Sequence, residues 1–151
     1  MSEDNPFRIF VTHCFSDDPD YARVFEYLES SSNFFYRNCS NPSNVPSAGG
    51  KEALKDELRA QIEEAEIVLI PGRMFIQNED WIRYQMIAAE AMGLPMVALE
   101  IFGGVGEVHP EVAKQVKGTV GWNECLIVDA IRQHARGEDA NRFETIEFEM
   151  P

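Results

Sequence analysis

The sequence predicts an α/β fold in which helices cover both faces of a parallel β-sheet. Short apolar segments alternate with longer segments in which apolar residues recur at helical spacing. The short segments are apolar throughout instead of alternating with polar residues, as is typical of strands buried on both faces. The chain has 151 residues, of which 44% are hydrophobic and 26% charged, so its length and composition fit one globular domain.

Strands and helices are predicted in regular alternation. The strands fall at residues 7–12, 34–37, 66–71, 95–101 and 117–120, and the helices at residues 21–31, 51–64, 78–93, 110–116 and 123–136. Residues 38–50 and 72–77 are predicted as loops, the first of them long. Five parallel strands favour the flavodoxin-like order 2-1-3-4-5. Residues 1–136 therefore form one predicted domain, followed at 137–151 by an acidic tail or a short extra strand at 145–148.

The charge balance excludes several classes of partner. A net charge of −13 argues against non-specific binding of nucleic acid and against docking on anionic lipid. The N-terminal M-S-E-D-N-P does not resemble a secretory signal, and no apolar run approaches the roughly 20 residues that span a bilayer. Three widely spaced cysteines indicate a reducing compartment, and the scattered histidines argue against a zinc site. We expect a cytoplasmic protein without a metal.

Two helices have a predicted start. Asn78 and Asn123 are each expected to cap a helix with the side-chain oxygen, and Gly93 suits the position just past the end of the first of these helices. In the last helix, the residues expected to face the core are Leu126, Ile127, Ala130 and Ile131.

The helix at 78–93 carries one unexpected residue, Gln85. At helical spacing it shares an otherwise apolar side with Trp81, Ala88, Ala89 and Met92. A primary amide between an aromatic ring and small residues is unusual at a core-facing position. We therefore interpret Gln85 as part of a functional site, against the alternative of a surface amide.

Topology predicts where that site lies. In such a sheet, ligands bind outside the carboxyl ends of the strands where the strand order reverses, which here is between strands 1 and 3. His13 and Phe15 follow strand 1 and are candidate ligand contacts, although helix capping and apolar packing explain them equally well. Arg73, after strand 3, and Arg8 are candidates for offsetting ligand phosphates, with a solvated role as the alternative.

Several segments resemble TIR-like domains. They are I-F-V-T-H-C-F-S-D-D-P-D-Y-A-R-V-F-E-Y-L, I-V-L-I-P-G, and W-I-R-Y-Q-M-I-A-A-E-A-M-G-L-P-M-V-A-L-E. A further segment, V-G-W-N-E-C-L-I-V-D-A-I-R, is similar to the closing strand and helix of bacterial TIR-like proteins, especially those of Thoeris-type anti-phage systems. The resemblance covers roughly residues 7–136 and follows the same order along the chain.

The resemblance implies an activity. Such domains cleave the nicotinamide–ribose bond of NAD, and the Thoeris-type proteins make a cyclic ADP-ribose isomer that signals to a separate effector protein. Their catalytic glutamate lies four residues after a tryptophan. Trp81 matches that tryptophan, and Gln85 occupies the position of the glutamate. The family also implies NAD as substrate and a possible homo-oligomer.

The glutamine changes the expected chemistry. Breaking an N-glycosidic bond builds positive charge on the ribose, which a carboxylate stabilises and a neutral amide does not. We expect an NAD-cleaving scaffold that is inactive in this form. Two alternatives stay open, namely a non-catalytic TIR-like interaction module and an enzyme similar to nucleoside deoxyribosyltransferases.

Overall fold

The computed structural model describes residues 4–104 and 107–138, and it confirms the predicted sheet. The strands are β1 (Phe7–Val11), β2 (Tyr36–Asn38), β3 (Ile67–Pro71), β4 (Met96–Leu99) and β5 (Gly118–Val120). They pair in parallel in the order β2-β1-β3-β4-β5, which is the flavodoxin-like order. The helices are α1 (Pro19–Glu29), α2 (Gly50–Glu63), α3 (Gly72–Gln77), α4 (Glu79–Ala91), α5 (Pro110–Gln115) and α6 (Glu124–Arg136). The predicted strand at 145–148 lies outside the described residues.

Each face of the sheet has its own hydrophobic core. Successive side chains of a strand point to opposite faces, and here both sets are apolar. Phe10, Val68 and Ala98 pack against α2, α3, α4 and α5 on one face. On the other face, Ile9 and Leu69 pack against α1 and α6. This arrangement explains why the strands are apolar without alternation.

The segment at 72–77, predicted as a loop, is the helix α3. Gly72 follows β3 directly, and a Cβ added there would come within 2.8 Å of the Leu99 carbonyl oxygen. The glycine therefore lets the chain pass close to β4 as it turns into the helix, which buries Met74 and Phe75. Six residues are too few for an apolar repeat to be recognised in the sequence.

Three smaller expectations were wrong. Phe34, predicted to begin the second strand, precedes it and stacks on the ring of Phe7 with 5.4 Å between ring centroids. Leu126 and Met92 are 51% and 36% exposed. Leu126 and Met92 each lie at the edge of the buried side of their helix. In α4, the buried side includes Ile82 and Met86 instead of Met92.

The two predicted asparagine caps have different outcomes. Asn123 caps α6, since its Oδ1 accepts from the Leu126 N–H at 3.0 Å. Within the described part of the chain, the Asn78 side chain makes no capping bond to α4. Residue 78 ends α3 as well as starting α4, because its N–H donates to the Met74 carbonyl while its own carbonyl accepts from the Ile82 N–H. That double role fixes the backbone without the side chain.

Among the described residues, no helix combines the length and apolar character needed to cross a membrane.

Candidate functional site

Helix α4 brings Gln85 to the carboxyl end of β1, where the topology predicted a site. The Gln85 side chain is 0% exposed. Its Oε1 accepts from the His13 N–H at 3.0 Å, and its Nε2 donates to the His13 carbonyl at 2.7 Å and to the Trp81 carbonyl at 3.1 Å. Both amide hydrogens and the oxygen are therefore in use.

These bonds fix the chemical character of position 85. The side chain pairs with the main-chain N–H and C=O of His13 as a neighbouring strand would. A backbone N–H can only donate and a carbonyl can only accept, so the orientation of the amide follows from its partners. An ionised carboxylate has no hydrogen to give to the carbonyls of His13 and Trp81. In this conformation the neutral amide is the group that fits.

The His13 ring is buried and neutral. Its Nδ1 accepts from the Phe15 N–H at 3.2 Å, so this nitrogen carries no proton. The proton then lies on Nε2, which donates to Gln61 Oε1 at 2.9 Å. Burial lowers the pKa of His13, and it outweighs the opposite effects of the Gln61 hydrogen bond and the Glu57 charge.

Gln61 links this histidine to the loop that follows β2. Its Oε1 also accepts from the Asn41 N–H at 2.9 Å, while its Nε2 donates to the Asn41 carbonyl at 3.2 Å and to Glu57 Oε2 at 2.8 Å. Gln61 was not among the residues predicted from the sequence. The available signal was its place between Leu58 and Ile62 on the inward stripe of α2, which is the same kind of anomaly that Gln85 presents.

Phe15 covers the His13 ring in a strained backbone conformation. Its φ is +60°, a left-handed value that is unusual for a bulky side chain. The Phe15 ring meets the imidazole edge-on, with 5.0 Å between centroids and 89° between planes. Strained non-glycine residues cluster at functional sites, and Phe15 stays a candidate ligand contact.

Trp81 lines a cavity of about 350 Å³ between α2 and α4. The other lining residues are Tyr84, Asp80, Lys51 and Lys55. The Lys55 ammonium lies 5.2 Å from the centroid of the Tyr84 ring. Aromatic walls and two ammonium groups suit a ligand that has both a planar ring and negative charge. Gln85 itself does not line this cavity.

Most of this cavity was not predicted. Tyr84 and Lys55 are half-buried at the margins of the buried sides of their helices, and no sequence pattern singles them out. Their relevance depends on the distance between α2 and α4, which no local pattern encodes.

The structure does not bring the two candidate arginines into this site. Arg73 is at the carboxyl end of the sheet, but its Nη2 donates to the Phe102 carbonyl at 2.6 Å and so holds the segment after β4. Arg8 lies near the opposite end of the sheet. Its Nη1 donates to the Glu64 carbonyl at 3.1 Å, and its N–H donates to Glu66 Oε2 at 2.9 Å, both just before β3.

The described residues contain no group of three or more His, Cys, Asp or Glu side chains arranged to hold a metal ion. The three cysteines are free. Cys14, next to His13, is partly buried, and burial together with the Asp18 charge raises the pKa of its thiol to about 11. A thiol with that pKa is a poor nucleophile near pH 7.

No protein-family model matches this chain, and no curated protein is significantly similar to it in sequence.

Proposed function

We propose that this protein is a TIR-like domain that binds NAD beside Trp81 and, with Gln85 in place of the catalytic glutamate, does not cleave it. On this proposal, the chain is related to enzymes that convert NAD to a cyclic ADP-ribose isomer, which signals to a separate effector protein. The flavodoxin-like sheet agrees with it. The observation that carries it is the aromatic and lysine-lined cavity, which shares Trp81 with the Gln85 hydrogen-bond network.

Different residues of the cavity recognise different parts of NAD. Trp81 and Tyr84 offer ring faces to the nicotinamide or the adenine. Lys51 and Lys55 supply positive charge for the pyrophosphate, and the Asp80 carboxylate accepts from ribose hydroxyl groups. A cavity of about 350 Å³ holds one half of the dinucleotide, so the other half extends beyond it.

With Gln85 in place of the glutamate, position 85 lacks the negative charge that would stabilise the transition state. A carboxylate beside the ribose stabilises the developing cation, and its loss costs a few kcal/mol, or about a hundred- to a thousand-fold in rate. The Gln85 oxygen is also occupied by the His13 N–H. The side chain is fully buried and does not line the cavity, so its oxygen is not accessible to a ligand there.

NAD titration by calorimetry tests the binding. Lys51→Ala with Lys55→Ala should weaken NAD binding by about tenfold or more, since two charge-assisted contacts are lost. Arg37→Ala with Arg59→Ala is the matched control, because it removes the same charge from two exposed side chains that line neither this cavity nor the other one with lysines. Equal binding by both double variants, or no binding by the unaltered protein at millimolar NAD, would contradict the proposal.

Restoring the carboxylate tests the chemistry. A carboxylate at position 85 cannot keep the bonds that Gln85 donates to the His13 and Trp81 carbonyls, so the Gln85→Glu side chain is expected to turn toward the cavity beside Trp81. It should then raise NAD consumption by about a hundred- to a thousand-fold, with nicotinamide and a cyclic product seen by chromatography. Melting curves establish that the variant is folded. Assays over a range of protein concentrations detect activity that requires self-association. A folded variant that binds NAD and leaves it intact throughout that range would show that position 85 is not a vacated catalytic position.

The full burial and hydrogen bonding of Gln85 favour a second candidate, a non-catalytic interaction module. In that case Gln85 serves only to attach α4 to β1, and no nucleotide is needed. Absence of NAD binding, together with concentration-dependent self-association in sedimentation, would support this alternative over the first.

A further inference from the structure

A second cavity, of about 540 Å³, opens at the opposite end of the sheet from Gln85. Its apolar side is formed by Leu94, Pro95 and Met96, where the chain enters β4. Lys117, just before β5, and His134 of α6 also line it. The volume is within the range of small-molecule sites, and the proposed NAD site does not account for it.

The lysines of this acidic chain are confined to the two cavities. The sequence has four lysines, at 51, 55, 114 and 117. The first two line the cavity beside Trp81, and Lys114 and Lys117 line the second one. Neither Lys114 nor Lys117 forms an ion pair with any residue in the described ranges. With His134 beside them, these ammonium groups give an anion a favourable position in a protein of charge −13.

A neutral residue of the same cavity, Gln115, indicates that the ligand carries a hydrogen-bond donor as well as negative charge. Gln115 Oε1 is buried and has no hydrogen-bond partner among the residues that the structure describes. A buried acceptor left unpaired costs free energy, so such atoms need an explanation. Gln115 lines the cavity, so a small rotation of its side chain would turn this oxygen toward a ligand hydroxyl or N–H group, which would supply the missing donor. The Glu90 carboxylate on the same lining offers a second acceptor for a hydroxyl group.

Helix electrostatics explain only part of this arrangement. Lys114 lies in the last turn of α5, where a cation is favoured by the helix dipole. Lys117 lies beyond that helix, and its N–H is already used by the Met96 carbonyl at 2.7 Å. Its side chain is not needed to complete either the helix or the sheet, and the dipole does not account for Gln115.

We propose that this cavity is a second binding site, for a small phosphate ester that also carries a hydroxyl or N–H group. Lys114, Lys117 and His134 contact the phosphate, Gln115 accepts from the hydroxyl or N–H group, and the apolar side accommodates the remaining carbon framework. The volume fits a sugar phosphate or a nucleoside monophosphate. This inference is independent of the proposed NAD site.

The test uses the full chain carrying Lys51→Ala and Lys55→Ala, so that the first cavity does not contribute. Calorimetric titration with AMP and ribose 5-phosphate should give saturable binding, about tenfold or more tighter than adenosine and ribose, which lack the phosphate. Adding Lys114→Ala and Lys117→Ala should weaken binding of both phosphate esters by about tenfold or more. Gln115→Leu should weaken binding of ribose 5-phosphate while leaving that of inorganic phosphate unchanged.

Three outcomes would overturn the proposal. They are no binding of either ester at millimolar concentration, equal binding of the charged and uncharged probes, and unchanged binding after the Lys114 and Lys117 substitutions. A lower melting temperature without any change in binding would assign these lysines to helix stabilisation alone.

Discussion

The two ends of the sheet are held together by different chemistry. At the carboxyl end, the neutral side chains of Gln85, His13 and Gln61 are almost wholly buried and hydrogen-bonded to one another or to the backbone. At the amino end, Glu66 and Arg136 form an ion pair whose side chains are 12% and 18% exposed. Neutral amides can be buried completely when every hydrogen bond is made, whereas ions keep contact with solvent because their desolvation is costly.

The ion pair at the amino end has two parallel contacts. Arg136 Nε lies 2.9 Å from Glu66 Oε1, and its Nη2 lies 2.8 Å from Oε2. The guanidinium carbon is 3.9 Å from the centroid of the Phe7 ring. Burial raises the pKa of Glu66, but the Arg136 hydrogen bonds, the Arg8 N–H and both arginine charges together bring it below the usual value. The pair attaches the end of α6 to the start of the sheet.

The largest expected effect is at the neutral end. Gln85→Met keeps the length of the side chain but leaves the His13 N–H and carbonyl unpaired inside the protein. The free energy of unfolding should fall by about 3 kcal/mol, since each buried unsatisfied group costs about 1–3 kcal/mol. Urea denaturation measures this loss. The control, Gln133→Met on the exposed side of α6, should change stability by less than about 0.5 kcal/mol; equal effects of the two substitutions would contradict the assignment.

A smaller effect is expected at the charged end, and it should depend on pH. Glu66→Gln should lower the free energy of unfolding at pH 7 by about 2 kcal/mol, because the hydrogen bonds to a charged group are weakened. The pKa of Glu66 is lowered by folding, so this stabilisation is present above the unfolded pKa and is lost as the pH falls through the folded pKa. The gap between the two proteins in denaturation experiments should close in acid.

Glu64 provides the matched control. It pairs with Arg37, but the two side chains are 63% and 52% exposed. Glu64→Gln should therefore cost less than about 0.5 kcal/mol at any pH. A larger cost for Glu64→Gln than for Glu66→Gln would refute the importance given to burial.

The smallest effect concerns His13, and it distinguishes the two ends by the pH range in which stability is lost, because both ends lose stability as the pH falls. Because folding lowers the pKa of His13, the unfolded chain binds the proton first, and the histidine destabilises the fold as the pH falls below about 6.5. His13→Gln removes this titration. Between pH 7 and pH 5, the unaltered protein should lose more stability than the variant in thermal unfolding, and parallel profiles would show that His13 is not held neutral.

The sequence predicted the sheet because its strands carry an unusually strong signal. Five apolar runs, separated by helical repeats, permit few topologies, and β1 and β3 begin or end within a residue or two of the predicted limits. Helix α3 was missed because its start depends on the close approach of Gly72 to β4. Local patterns do not encode such tertiary contacts.

The candidate site was predicted in part for a similar reason. An amide on an apolar face signalled Gln85, and topology predicted its place near His13. The partners of the amide could not be predicted, since His13 is 72 residues away along the chain. For Arg8 the sequence held an unused signal, because a residue near the start of strand 1 lies at the amino end of the sheet, away from the predicted site.

The pairing of Gln85 with His13 also determines how often this end of the molecule opens. The main-chain amide proton of His13 is held by a side chain of α4 and not by a neighbouring strand. It can exchange with deuterium when the helix separates from the end of β1 or when the whole domain unfolds. Faster exchange of this amide than of the amides within β1 and β3, followed by nuclear magnetic resonance, would therefore measure separation of α4 from the sheet without unfolding of the strands.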